Sequence, residues 1–164
     1  MNDCCQLFKM IPKNLLNELF ENSHASAELD YTFLCFEDIY LKALEVITSD
    51  TVVIDLGCAY ATQSWFFKDC KKYIGIDCAG DEKSVIHTKN SEYYFMDIQK
   101  FIRERLPILD IDLDNVFAVC SAVPDDEARQ MVLETFPYHL VYYPGGIFTM
   151  KTLDKVSMTE TVYN

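Results

Sequence analysis

Three aspartates, each placed at the end of a short apolar run, are the residues of this sequence best positioned to act together on a ligand. Asp55, Asp77 and Asp97 follow one another at intervals of about 20 residues, the length of one strand–helix–strand step. In an open parallel sheet, ligands bind outside the carboxyl ends of the strands, so side chains that leave successive strands meet at a common edge. The spacing predicts a binding site at this edge, where Asp77 accepts hydrogen bonds from the two hydroxyl groups of a ribose.

The turn that follows the first apolar run has the composition of a ligand-binding loop. Gly57 allows a sharp turn, and the small residues Ala59 and Ala61 keep the backbone accessible. The predicted helix behind this turn has free backbone N–H groups at its start, which we expect to face an anion or a carboxylate. Tyr60, inside the turn, either covers the ligand or fills the pocket.

Strands and helices alternate along most of the chain, which predicts a parallel sheet with right-handed crossovers. Apolar residues at helical spacing predict two helices before the first strand. The predicted helices comprise residues 11–22, 29–47, 61–72, 99–106 and 125–136, and the predicted strands residues 51–56, 73–77, 92–98, 116–120 and 147–151.

Four runs together resemble the motifs of one family, the class I S-adenosylmethionine-dependent methyltransferases. VVIDLGCAYATQSWFF resembles their motif I, YIGID the second motif, FMDI the third, and LVYYPGGIFTM their proline–glycine–glycine turn before the fifth strand. The resemblance covers residues 29–152 and implies an α/β, three-layer Rossmann-like sandwich. Its sheet is expected to be mostly parallel, with about five strands. We expect one domain over residues 1–164, in which residues 1–50 form a helical segment packed on the sheet.

The resemblance also implies a cofactor, S-adenosylmethionine, with S-adenosylhomocysteine as the product. Asp55, Gly57 and Ala59 would line its methionine end, Asp77 would bind the ribose and Asp97 the adenine amino group. Ser121 would lie near the methionine moiety or the substrate. The neighbouring residues that complete the predicted site are Cys58, Tyr60, Cys78 and Ile98. Methyl transfer is an in-line displacement that positioning alone can accelerate, so no catalytic residue is predicted.

Two departures from the family pattern keep an alternative open. Ala59 and Ala61 replace glycines, and the chain ends at Asn164, soon after the predicted fifth strand. We therefore expect the usual C-terminal antiparallel hairpin to be lacking, which leaves the fifth-strand edge or the C-terminal tail for a homodimer contact. The alternative is a catalytically inactive methyltransferase-like protein that binds a protein partner through its acidic surface or exposed sheet edge. A dinucleotide-binding domain ranks lower because the turn is not G-x-G-x-x-G.

Composition narrows the function classes further. A formal charge of -12, from 14 basic against 26 acidic residues, disfavours nucleic acid as a partner. No apolar run approaches the roughly 20 residues of a membrane span, which predicts a cytoplasmic protein. The 7 cysteines form no C-x-x-C pair, so no metal site is predicted, and Cys120 is expected to be a core residue. The methyl acceptor is then an unidentified small molecule or protein side chain.

Overall fold

A seven-stranded sheet forms the centre of the protein, with strand order β3-β2-β1-β4-β5-β6-β7. The computed structural model describes residues 10–22, 26–121, 123, 125–152 and 156–160. The strands are β1 (Val52–Leu56), β2 (Lys72–Asp77), β3 (Ser91–Phe95), β4 (Val116–Cys120), β5 (His139–Tyr143), β6 (Ile147–Lys151) and β7 (Val156–Glu160).

The first five strands run parallel, which brings their carboxyl ends to one edge. β1 lies at the centre, where Asp55 pairs with Gly75 of β2 and with Val119 of β4. Every residue of β1 and of β4 is buried, as expected for strands that are covered on both faces. The strand order reverses beside β1, and this reversal is the position at which open α/β sheets bind their ligands.

Helices cover both faces of the sheet. On one face, α2 (Ser26–Val46) packs its residues Ile39, Tyr40 and Ala43 against the strands. On the other face lie α4 (Asp126–Thr135) and the segment that begins with α3 (Ile98–Lys100). A smaller third cluster forms where α1 (Lys13–Asn22) packs against Ile86. The predicted α/β, mostly parallel, Rossmann-like sandwich is confirmed.

The end of the sheet differs from the sequence prediction. Residues 139–143, for which no strand was predicted, form β5, and the predicted fifth strand is β6, which runs antiparallel to β5. β7 then pairs antiparallel with β6, so the expectation that a C-terminal antiparallel hairpin is lacking was wrong. Gly145 and Gly146 have φ of 99° and 85°, values that let the chain reverse between β5 and β6. The strand predicted to offer a free edge to a homodimer is therefore paired on both sides, and the homodimer itself stays a prediction.

Two predicted helices are shorter or less regular than expected. Only residues Thr62–Phe67 of the predicted helix 61–72 are helical, and they form a tight 3-10 turn. The predicted helix 99–106 begins one residue earlier as α3 and continues as a widened turn over Phe101–Arg105 and a 3-10 turn over Leu106–Ile108. Within the described ranges, no helix is both long and apolar enough to cross a membrane.

Candidate functional site

One cavity lies at the carboxyl edge of the sheet and is lined by residues that follow four different strands. Its volume is about 230 Å³. Its described lining comprises Gly57, Asp77, Cys78, Asp97, Ile98, Val123, Asp125 and Ala128. The first five of these are residues that the sequence predicted for the site, and the fold brings them together.

Asp77 accepts hydrogen bonds from both turns that border this cavity. Its Oδ2 accepts a hydrogen bond from the N–H of Ala59 at 2.9 Å, and its Oδ1 accepts one from the N–H of Ala79 at 2.9 Å. An ionised carboxylate offers about four lone-pair positions, so both oxygens can accept further hydrogen bonds from a ligand.

Asp97 and Asp125 each cap a helix at the opposite wall of the cavity. Asp97 Oδ1 accepts from the N–H of Lys100 at 3.1 Å at the start of α3. Asp125 Oδ1 accepts from the N–H of Glu127 at 2.9 Å, and its Oδ2 accepts from Gln99 Nε2 at 2.9 Å. Sequence reasoning had not placed Asp125 among the ligand-binding residues, although its position just after the fourth strand was the available signal.

Asp55, the first of the three predicted aspartates, does not line the cavity. It is fully buried and accepts hydrogen bonds from Gln63 Nε2 at 2.8 Å, from the Tyr40 hydroxyl at 3.3 Å and from the Tyr73 hydroxyl. Tyr40 and Tyr73 belong to the core on the α2 side of the sheet, whereas Val123 and Ala128 of the cavity belong to the core on the α4 side. Asp55 therefore lies among the protein's own side chains.

Burial dominates the electrostatics of Asp55. Desolvation raises the pKa of Asp55 to about 6, against the lowering effect of the hydrogen bonds from Gln63, Tyr73 and Tyr40. The negative charge of Asp77 raises the Asp55 pKa further. Burial, together with the negative charge of Asp55, raises the pKa of Tyr40 well above its ordinary value, so the tyrosine hydroxyl stays protonated and donates.

Ser121 belongs to the same buried network. Its hydroxyl is 2% exposed and shares a hydrogen bond of 2.8 Å with the hydroxyl of Tyr40. Cys120, one residue earlier, is fully buried, and desolvation raises its pKa to about 12. The thiol of Cys120 is accordingly protonated, in agreement with the prediction of a core cysteine rather than a nucleophile.

Both alanines of the turn after β1 have a backbone conformation that favours glycine. Gly57, Ala59 and Ala61 all have positive φ, at 87°, 50° and 54°. For a residue with a Cβ, this left-handed conformation costs about 1–2 kcal/mol. Ala59 and Ala61 therefore hold a backbone conformation that glycine would adopt at lower energy.

The N–H groups of this turn are used inside the protein. Gly57 and Cys58 donate to the Ile76 carbonyl at 2.8 and 3.1 Å, and Ala61 donates to the Cys58 carbonyl at 2.9 Å. Ala59 donates to Asp77. Free N–H groups were expected at the start of the following helix, predicted to begin at residue 61, and this expectation was wrong at Ala61.

The remaining predicted residues of the turn also lie outside the cavity lining. Cys58 is 1% exposed and belongs to the core on the α2 side. Tyr60 packs in the small cluster with α1, and its carbonyl accepts from the N–H of Ile86 at 3.1 Å. Cys58, Ala59 and Tyr60, although predicted for the site, are therefore not among the described lining residues of the cavity.

The sequence matches no protein-family profile and no curated relative. The fold is similar to three solved structures at low identity. The first is a proposed type II methyltransferase from Anaeromyxobacter dehalogenans, with 13% identity, 65% of this chain and 47% of that chain covered, and a TM-score of 0.45. This chain thus matches about half of that protein's length.

The second similar structure is a proposed methyltransferase from Streptococcus mutans in complex with S-adenosylhomocysteine, with 14% identity, 78% and 97% coverage and a TM-score of 0.47. The third is an S-adenosylmethionine-dependent methyltransferase from Anabaena variabilis, with 14% identity, 89% and 64% coverage and a TM-score of 0.40. With TM-scores below 0.5, these similarities assign neither a cofactor nor an activity to this chain.

The chemistry of the cavity follows from its charged residues. Asp77, Asp97 and Asp125 line it, and no Lys, Arg or His is among its described lining residues. The described residues contain no group of three or more side chains that could hold a metal ion. The cavity can therefore accept hydrogen bonds from hydroxyl and amino groups, and it favours neutral or cationic ligands.

Proposed function

We propose that this protein binds S-adenosylmethionine by its adenosyl group and transfers the methyl group to a small molecule or a protein side chain. One observation carries the proposal: Asp77 and Asp97, which leave neighbouring parallel strands, line the same cavity at the point where the strand order reverses. Their carboxylates suit the ribose hydroxyls and the adenine amino group respectively.

The adenosyl half of the cofactor fits the residues that are present. Gly57 allows the backbone to approach a ligand closely, while Cys78 and Ile98 add contact surface beside the two carboxylates. When bound, S-adenosylmethionine supplies a methyl group on a sulfonium, and three nearby carboxylates favour that positive charge.

The methionine half does not fit the residues expected to hold it. Asp55 and Ser121 are 0% and 2% exposed, and both are hydrogen-bonded to side chains of the protein. No step of the transfer is therefore assigned to either residue.

Isothermal titration with S-adenosylmethionine and S-adenosylhomocysteine tests the proposal. We expect saturable binding of both compounds, weakened in Asp97→Asn, which retains the ability to cap α3. The matched control is Asp112→Asn, because Asp112 also accepts a helix-start N–H, that of Asp114 at 3.0 Å, but precedes β4 at the opposite end of the strand. Absence of binding of either compound at millimolar concentration would refute the proposal.

A second candidate function is a catalytically inactive, methyltransferase-like protein that binds a protein partner. The closed network around Asp55 and Ser121 favours it, because that network occupies the place expected for the reacting end of the cofactor. A labelled-methyl assay on cell lysate separates the two functions. A labelled product that depends on this protein supports the methyltransferase, whereas cofactor binding without any product supports the inactive protein.

A further inference from the structure

The negative charge of the cavity limits which ligands can bind in it. Three carboxylates line it, those of Asp77, Asp97 and Asp125, without a basic side chain among the described lining residues. A ligand group with a net negative charge, such as a phosphate, would lie near these three carboxylates, and like charges within several ångströms oppose binding.

Four backbone N–H groups in the adjoining turn are not available to offset this negative charge. The N–H groups of Gly57, Cys58, Ala59 and Ala61 are all engaged in hydrogen bonds within the protein. An acid group on the ligand thus has no donor at any of these four positions.

Asp55 and Ser121, the residues expected at the amino-acid half of the cofactor, are buried together with Tyr40, Gln63 and Tyr73, and none of the five is among the described lining residues of the cavity. Gln63 Nε2 donates to Asp55 and, at 2.9 Å, to the Cys58 carbonyl, so it fixes the turn and the strand together. Gln63 is 2% exposed. The open cavity of about 230 Å³ is also smaller than the roughly 300–1,000 Å³ of most ligand pockets.

From these three observations we infer that the cavity recognises only the adenosine portion of its ligand, and selects against a 5′ substituent that carries a net negative charge. The inference rests on the proposed function, because it takes Asp77 and Asp97 as the nucleoside-binding residues. It deepens that function: the amino-acid half of S-adenosylmethionine extends from the cavity and adds little affinity.

Isothermal titration with a set of four compounds at low ionic strength tests the inference. S-adenosylhomocysteine and 5′-methylthioadenosine share the adenosine and the thioether and differ in the amino-acid portion. Adenosine and adenosine 5′-monophosphate differ in the phosphate. We expect the first pair to bind within about tenfold of each other, and the monophosphate to bind at least about tenfold more weakly than adenosine.

The outcomes separate the inference from the proposed function. If S-adenosylhomocysteine binds more than about tenfold tighter than 5′-methylthioadenosine, the inference is refuted and cofactor binding stands. Binding of the monophosphate as tight as that of adenosine also refutes it. If none of the four compounds binds at millimolar concentration, the inference and the proposed function both fall.

A pair of charge variants tests the electrostatic cause. Asp125→Asn keeps the helix cap and removes one cavity charge, so the preference for adenosine over the monophosphate should shrink several-fold. Asp112→Asn removes a capping carboxylate at the other end of β4 and should leave that preference unchanged. Equal preferences in both variants would refute the electrostatic selection.

Discussion

The hydroxyl groups of Tyr40 and Ser121 lie 2.8 Å apart and join α2 to the end of β4 across the buried carboxylate of Asp55. Both side chains are almost fully buried, at 4% and 2% exposure. A buried hydroxyl that loses its partner carries the full cost of its desolvation, so this contact couples the helix to the end of the strand.

Tyr40→Phe should lower the free energy of unfolding by about 1–3 kcal/mol, because Ser121 and Asp55 each lose a hydrogen bond. Urea denaturation measures the loss. In the double variant Tyr40→Phe, Ser121→Ala, the serine hydroxyl is no longer left unpaired, and the combined cost should be smaller than the sum of the single costs. Strictly additive costs would show that the two hydroxyls are not coupled.

The stability contributed by Asp55 should fall as the pH rises. Its pKa is raised to about 6 in the folded protein, above the value of about 3.9 in an unfolded chain, so the folded state binds this proton more tightly. The contribution is fully present below about pH 4 and is lost as the pH passes through 6.

Asp55→Asn isolates this effect, since the amide cannot ionise. Between pH 4 and pH 7.5, the unfolding free energy of the wild type should fall relative to that of Asp55→Asn by about 2–3 kcal/mol. Denaturation curves of both proteins across this range provide the measurement. A difference that stays constant with pH would mean that Asp55 has an ordinary pKa.

Ala59→Gly and Ala61→Gly should each stabilise the protein by about 0.5–1 kcal/mol, because glycine adopts positive φ without the Cβ strain. Thermal or urea unfolding measures the gain. The matched control is Ala43→Gly in the last turn of α2, where the same change should cost at least about 1 kcal/mol because helix propensity and a buried methyl group are both lost. A loss of stability in all three variants would contradict the claim that Ala59 and Ala61 are strained.

Asp77→Asn should weaken the binding of S-adenosylhomocysteine at least about tenfold, since a charged acceptor is replaced by a neutral group with only one acceptor oxygen. Isothermal titration measures the change. Asp81→Asn is the control in the same loop: Asp81 also accepts a backbone N–H, that of Lys83 at 2.9 Å, but does not line the cavity. Equal weakening in both variants would point to a general loosening of the loop.

Local sequence patterns were sufficient for four of the five parallel strands, β1 to β4. The β-branched run before Gly57 and the apolar run before Cys78 predicted β1 and β2, because buried parallel strands need continuous apolar residues. The same patterns placed Asp77 and Asp97 at one edge. They failed at β5, whose sequence HLVYY reads equally well as a connection, and the glycines that follow proved to form a hairpin turn.

The sequence by itself determined which residues leave each parallel strand, because strand alternation and chain direction are local properties. Only the tertiary structure decided which of these residues share a cavity. Asp55 lies inside β1, opposite Gly75, whereas Asp77 is the last residue of β2 and lines the cavity. In addition, α2 brings Tyr40 over Asp55, and the 3-10 turn after β1 brings Gln63. Contacts with residues outside β1 bury Asp55 away from the cavity, and such contacts produce no periodic pattern of apolar residues in the sequence.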